Sequence, residues 1–161
     1  MGQAVSRCDV ASPDEYPSPA ALLFGRHGGK SSARALVAMS IMIEITQKIP
    51  LHSIMKTPSG KAQFEFHHRD SEKVVIKTEG GSQIKIPGTC FENAPNFLRE
   101  KGWTRIGALH DTSYGETFDG FLKRFTSGTS VASYVASILE KAEIVEIDRS
   151  RPAKLRLKTP E

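Results

Sequence analysis

"SVASYVASILEKAEIVEIDRSRPAKLRLK", residues 130–158, decides how this chain is read. Its first half places Val131, Val135, Ile138, Leu139 and Ala142 at the spacing of one helix face. Thr129 or Ser130 offers the hydroxyl of an N-cap. The period then changes from about 3.6 to 2. Val145 and Ile147 alternate with Glu146 and Asp148, and Ala153, Leu155 and Leu157 alternate with Lys154, Arg156 and Lys158. Arg149, Arg151 and Pro152 sit between the two runs. The pattern predicts an amphipathic helix followed by a two-stranded hairpin with a basic tip.

Working upstream, "TFDGFLKRF" (117–125) predicts a helix capped by Thr117, "DTSYGE" (111–116) a loop and "WTRIGA" (103–108) a short strand. "TCFENAPNFLREKG" (89–102) carries Phe91, Phe97 and Leu98 at helical spacing, with Pro95 inside. That proline implies either a short turn before the main helix or a helix that begins at Ala94 with proline as its first residue, and Gly102 ends it. From Ile43 to Pro87 the pattern is β. "QFEFHH", "KVVIKT" and "SQIKIP" alternate, and "TPSG" and Gly80-Gly81 mark turns. Three or four antiparallel strands in a meander are predicted, with one solvated face. "IMIEI" (41–45) reads equally as helix or strand, and residues 1–30 are rich in Pro, Gly and Ser. The chain thus divides into a low-order extension (1–41), a β meander (42–87) and a helical and hairpin unit (88–161).

The order helix, strand, helix, turn, helix, hairpin over residues 89–158 resembles a winged helix-turn-helix domain. Such domains commonly carry Gly before the first wing strand, where this chain has Ala142-Glu143. The resemblance implies an α+β fold, a small antiparallel meander followed by a winged-helix-like domain. It also implies binding to double-stranded DNA and a role in transcription regulation. Arg149, Arg151, Lys154 and Arg156 of the wing would meet phosphates, and Ser130, Ser133, Tyr134 and Ser137 would line the recognition helix. That helix face holds no Arg, Asn or Gln, the side chains that read guanine and adenine bidentately. Backbone contact is therefore expected to dominate. The alternative is a winged-helix module that binds a protein partner and no DNA. A simple hairpin register would also pair Lys154 and Arg156 with Glu146 and Asp148, leaving less of the basic face free.

The totals narrow the function classes. The net charge of +4 over 161 residues favours an anionic partner without a histone-like excess. Cys8 and Cys90 form neither a disulfide framework nor a zinc set, and no apolar run reaches membrane-span length, so a soluble, cytoplasmic protein is expected. "FGRHGGKSS" (24–32) imitates a phosphate loop, but three residues separate Gly25 from Gly29 where four are needed. "MGQAVS" matches a short myristoylation pattern at Gly2. His67 and His68 are adjacent in a strand and point to opposite faces, so no metal site is expected from them. No nucleophile elbow or paired catalytic carboxylates are seen, and the chain is read as a non-enzyme without a cofactor.

Overall fold

A computed structural model describes residues 41–70, 72–107 and 115–159. The phosphate-loop-like stretch, the acylation-like start and residues 108–114 lie outside them. The described chain begins in a helix, α1, that runs through residue 48. Ile41, Met42, Ile45 and Ile49 are buried, which is the spacing of one helical face. The β pattern therefore begins at Ser53, ten residues later than expected from Ile43. The β-branching of "IMIEI" is a weak preference of a few tenths of a kcal/mol per residue, and one-sided burial outweighs it.

Four antiparallel strands follow: β1 (Ser53–Lys56), β2 (Gln63–Arg69), β3 (Lys73–Thr78) and β4 (Gln83–Pro87), hydrogen-bonded in that order. This is the predicted meander. Its register sets Met55 opposite Phe64, Phe66 opposite Ile76 and Val74 opposite Ile86, all on the buried face. Then come α2 (Gly88–Lys101), β5 (Thr104–Arg105), α3 (Phe118–Leu122), α4 (Ala132–Lys141), β6 (Val145–Asp148) and β7 (Lys154–Leu157). The last three strands form a second antiparallel sheet in the order β5-β7-β6. The protein is α+β, a four-stranded antiparallel sheet followed by helices and a small second sheet.

Three boundaries differ from expectation, each for a local reason. Helix α2 begins at Gly88 rather than Ala94 and keeps Pro95 inside. Interior proline costs about 3 kcal/mol, but buried Cys90, Phe91, Ala94 and Leu98 hold both halves of the helix against the core. Helix α3 is capped by Thr117 as predicted, its hydroxyl accepting from the Gly120 N–H at 3.1 Å, but it stops at Leu122. There the Thr126 hydroxyl donates to the Leu122 carbonyl, and Gly128 at φ 85° turns the chain back. Helix α4 starts at Ala132, and Val131 precedes it with no side-chain cap.

The junction between α4 and β6 resolves the missing glycine. Glu143 takes a left-handed φ of 62°. Its N–H reaches the Glu140 carbonyl and the Ile144 N–H reaches the Leu139 carbonyl, each at 2.9 Å. This pair of bonds is a Schellman motif built on a non-glycine residue. Lys48 of α1 completes it, donating to the Ala142 carbonyl at 2.9 Å and to the Glu143 carboxylate at 3.1 Å. That carboxyl is held below its usual range, first by the hydrogen bond from Lys48.

Residues 42–87 and 88–158 share one hydrophobic core. The predicted stripe of α4 is buried throughout. Tyr134 meets Phe64 of β2 edge to face, with ring centroids 5.1 Å apart, and the Ser137 hydroxyl donates to the Lys56 carbonyl of β1 at 2.8 Å. Cys90 is fully buried, and burial pushes its thiol up to about 12. A shared core predicts a single unfolding transition. Phe64→Ala should cost about 3–5 kcal/mol. Trp103 is the only tryptophan and lies after α2, so its fluorescence midpoint in urea should shift together with that of far-UV circular dichroism. A shift of the circular dichroism transition alone would show two independent units.

Candidate nucleic-acid interface

The β1–β2 turn is tightened by two backbone bonds, Thr57 N–H to the Ala62 carbonyl at 2.9 Å and Gly60 N–H to the Thr57 carbonyl at 2.8 Å. Gly60 supplies the left-handed φ of 70° that this turn requires. Across from it lies the loop between β6 and β7. Asp148 organises that loop by accepting from the Ser150 N–H and the Ser150 hydroxyl, each at 2.9 Å. These bonds, the backbone one first, hold the Asp148 carboxyl below the usual range. Between turn and loop is a cleft of about 510 Å³ with Lys56, Lys61, Arg149 and Arg151 on its walls and no carboxylate among its lining residues. A smaller hollow of about 260 Å³ shares Pro58, Ser59 and Ala153 with it and carries Arg105 and Ser133 on its rim.

The four cleft cations are not equivalent. Arg149 forms two parallel hydrogen bonds to Glu140 of α4, at 2.8 and 2.7 Å. The Glu140 bond raises its already high pKa and offsets its charge. Lys56, Lys61 and Arg151 are exposed and have no carboxylate partner among the described residues. The cleft therefore presents three free cations and one compensated one.

The residues singled out from sequence are dispersed. Arg149 and Arg151 line the cleft, and Ser133 lies on the adjoining hollow. Lys154 and Arg156 stand opposite Asp148 and Glu146, the register foreseen for a self-paired hairpin. Arg156 bonds Glu146 and lies over the Trp103 ring, 4.6 Å from its centroid. Ser130 donates to Asp119 at 2.6 Å. Tyr134 and Ser137 face the first sheet, and Ser137 is 5% exposed. These contacts cover the middle of the expected reading face of α4. Lys56, Lys61 and Arg105 went unnoticed because each is an isolated cation in sequence. The one local sign was "KTPSGK" (56–61), two lysines bracketing a turn.

No protein-family model, curated protein or solved structure matches this chain.

Asp119, 1% exposed, ties α3 to the segment just before α4. Its carboxylate accepts from Ser130 and lies 2.9 Å from the Lys123 ammonium. Its N–H donates to the Ile106 carbonyl at 2.9 Å. A Cβ at Gly107 would stand 2.9 Å from the Asp119 Cβ, so only glycine fits there. Asp119→Ala should destabilise the fold by on the order of 3 kcal/mol, because it removes a buried carboxylate that accepts from the Ser130 hydroxyl and faces the Lys123 ammonium. Chemical denaturation measures this, and a loss under about 1 kcal/mol would mean that the pair is not structural.

Proposed function

We propose that this protein binds the phosphate backbone of double-stranded DNA in the cleft between the β1–β2 turn and the β6–β7 loop. The observation that carries the reading is the convergence of Lys56, Lys61, Arg149 and Arg151 on one concave surface from segments about 90 residues apart in sequence. Cations in a concave, carboxylate-free surface focus potential and release counterions when they meet phosphates. The element order and the sheet order β5-β7-β6 support a winged-helix-like organisation, with the β6–β7 hairpin as wing. In this reading α4 supports the cleft from below. Its middle is occupied by β1 and β2, so it does not enter a groove as a free reading helix. Phosphate contacts position a protein without reporting sequence, so weak sequence preference follows. A role in transcription regulation would then need a partner that supplies specificity. The second reading, a protein-interaction module without DNA affinity, is favoured by the self-pairing of Arg149 and Arg156.

A salt titration of binding to a fluorescent DNA duplex separates the two. Lys61→Ala with Arg151→Ala should weaken binding and lower the slope of log K against log salt by about two, one per lost phosphate contact. The thermal transition should hardly move, because substitutions at exposed turns cost less than about 0.5 kcal/mol. Glu140→Gln should do the reverse. It releases Arg149 and raises the slope by about one. A folded protein that fails to bind duplex DNA at low ionic strength would overturn the proposal and leave the protein-partner reading.

A further inference from the structure

The outer face of the first sheet carries a second cluster of chemical groups, at the opposite end of β1 from the basic cleft. The side chains of the adjacent pair His67-His68 would leave a regular strand on opposite faces. The fold instead joins His67 to two other residues. Glu65 and His67 lie on either side of Phe66 in β2. His52 arrives from the residue before β1, where its N–H donates to the Phe66 carbonyl at 2.7 Å. His52 Nδ1 is 2.5 Å from Glu65 Oε1, and His67 Nδ1 is 3.3 Å from the same oxygen. The ligand atoms of the three residues all lie within 4.8 Å of one another.

Two backbone irregularities produce this convergence. His52 takes a left-handed φ of 64°, a conformation that a β-substituted residue adopts with strain. The pairing of β2 with β3 shifts register between Phe66 and His68, which leaves His67 as an extra residue in the strand. Bulges of this kind re-aim side chains. One irregularity turns each imidazole toward the single carboxylate.

We propose that His52, Glu65 and His67 bind one divalent transition-metal ion of the zinc class. Two imidazole nitrogens and a carboxylate oxygen suit zinc, cobalt, nickel or copper, whereas magnesium and calcium favour oxygen-only shells. With bond lengths of about 2.0–2.1 Å, neighbouring ligands in a tetrahedral site stand about 3.3–3.4 Å apart. The Glu65 and His67 atoms already have that separation; the exposed His52 ring must move off Glu65 by less than about 1 Å and take the same spacing from His67, from which its ligand atom is within 4.8 Å. The ion would take the place of the protons that the Nδ1 atoms share with Glu65. Those hydrogen bonds, the one from His52 first, hold the Glu65 carboxyl below its usual range. The His52 side chain is 66% exposed, so the remaining coordination position opens to water. The site would also tie the start of β1 to β2.

The test is titration of the full chain with cobalt(II) at neutral pH, followed by zinc(II). One saturating cobalt absorption band is expected, displaced by zinc and insensitive to a hundredfold excess of magnesium, roughly the discrimination between nitrogen and oxygen ligand sets. His52→Asn removes a ligand at a backbone conformation that asparagine tolerates, and Glu65→Gln removes the charge while keeping the shape. Each should weaken binding by more than about tenfold and abolish a zinc-dependent rise in the thermal midpoint. A chain carrying Cys8→Ser and His27→Ala should bind like the parent. No saturation by about 1 mM ion, the weak end of specific association, would overturn the proposal. So would equal affinity in the parent, His52→Asn and Glu65→Gln.

Discussion

The packing of the first sheet on helix α4 is the contact on which the rest of the structure depends. Phe64 and Tyr134 meet across it, and the Ser137 hydroxyl fastens the helix to the main chain of β1. Without this contact the Phe64 end of the meander's apolar face would lose its cover, and burying a side chain of that kind is worth about 1.5–3 kcal/mol. The same contact carries Lys56 and the β1–β2 turn to the β6–β7 loop, so the basic cleft exists because the two halves share a core. One interaction thus stabilises the fold and decides which surface α4 can offer.

The second constraint is electrostatic. Among the described residues, much of the hairpin's basic charge is spent within the hairpin and its helix: Arg156 on Glu146 and Trp103, Arg149 on Glu140. Exposed ion pairs of this kind contribute only about 0–1 kcal/mol each, so they bear more on the local field than on stability. The cations left over in the cleft are Arg151 at the hairpin tip and Lys56 and Lys61 from the β1–β2 turn. The positive surface is thus assembled from two segments distant in sequence.

How far the sequence revealed this follows from which interactions are local. The stripe of α4, the alternation of β6 and β7, the Thr117 cap and the Gly80-Gly81 turn are written within a few residues, and the structure contains all four. The α1 helix was ambiguous because β-branched residues fit either period once both are short. The early start of α2 was hidden by Pro95, whose cost is offset by burial that no local rule records. The candidate site was least legible. Ser137 looks like a solvent-facing serine until β1 lies across it, and Lys61 looks like an ordinary turn residue until the hairpin loop stands opposite. His52 and Glu65 are thirteen positions apart, and what aims them at each other, the left-handed His52 beside the β1–β2 hairpin, leaves no mark in the alternation.

The Ser137 bond to Lys56 closes a loop of 81 residues, and the Lys48 bond to Ala142 one of 94. A ribosome adds about 5–20 residues per second, so the meander, finished at Pro87, waits roughly 3–11 s for α4 to be completed at Lys141. During that interval the part of its aromatic face that Tyr134 covers, at Phe64, is open to water. The nascent chain therefore passes through a stage at which chaperone binding or self-association competes with folding. The late arrival of α4 makes the protein's yield in the cell a matter of timing as much as of final stability.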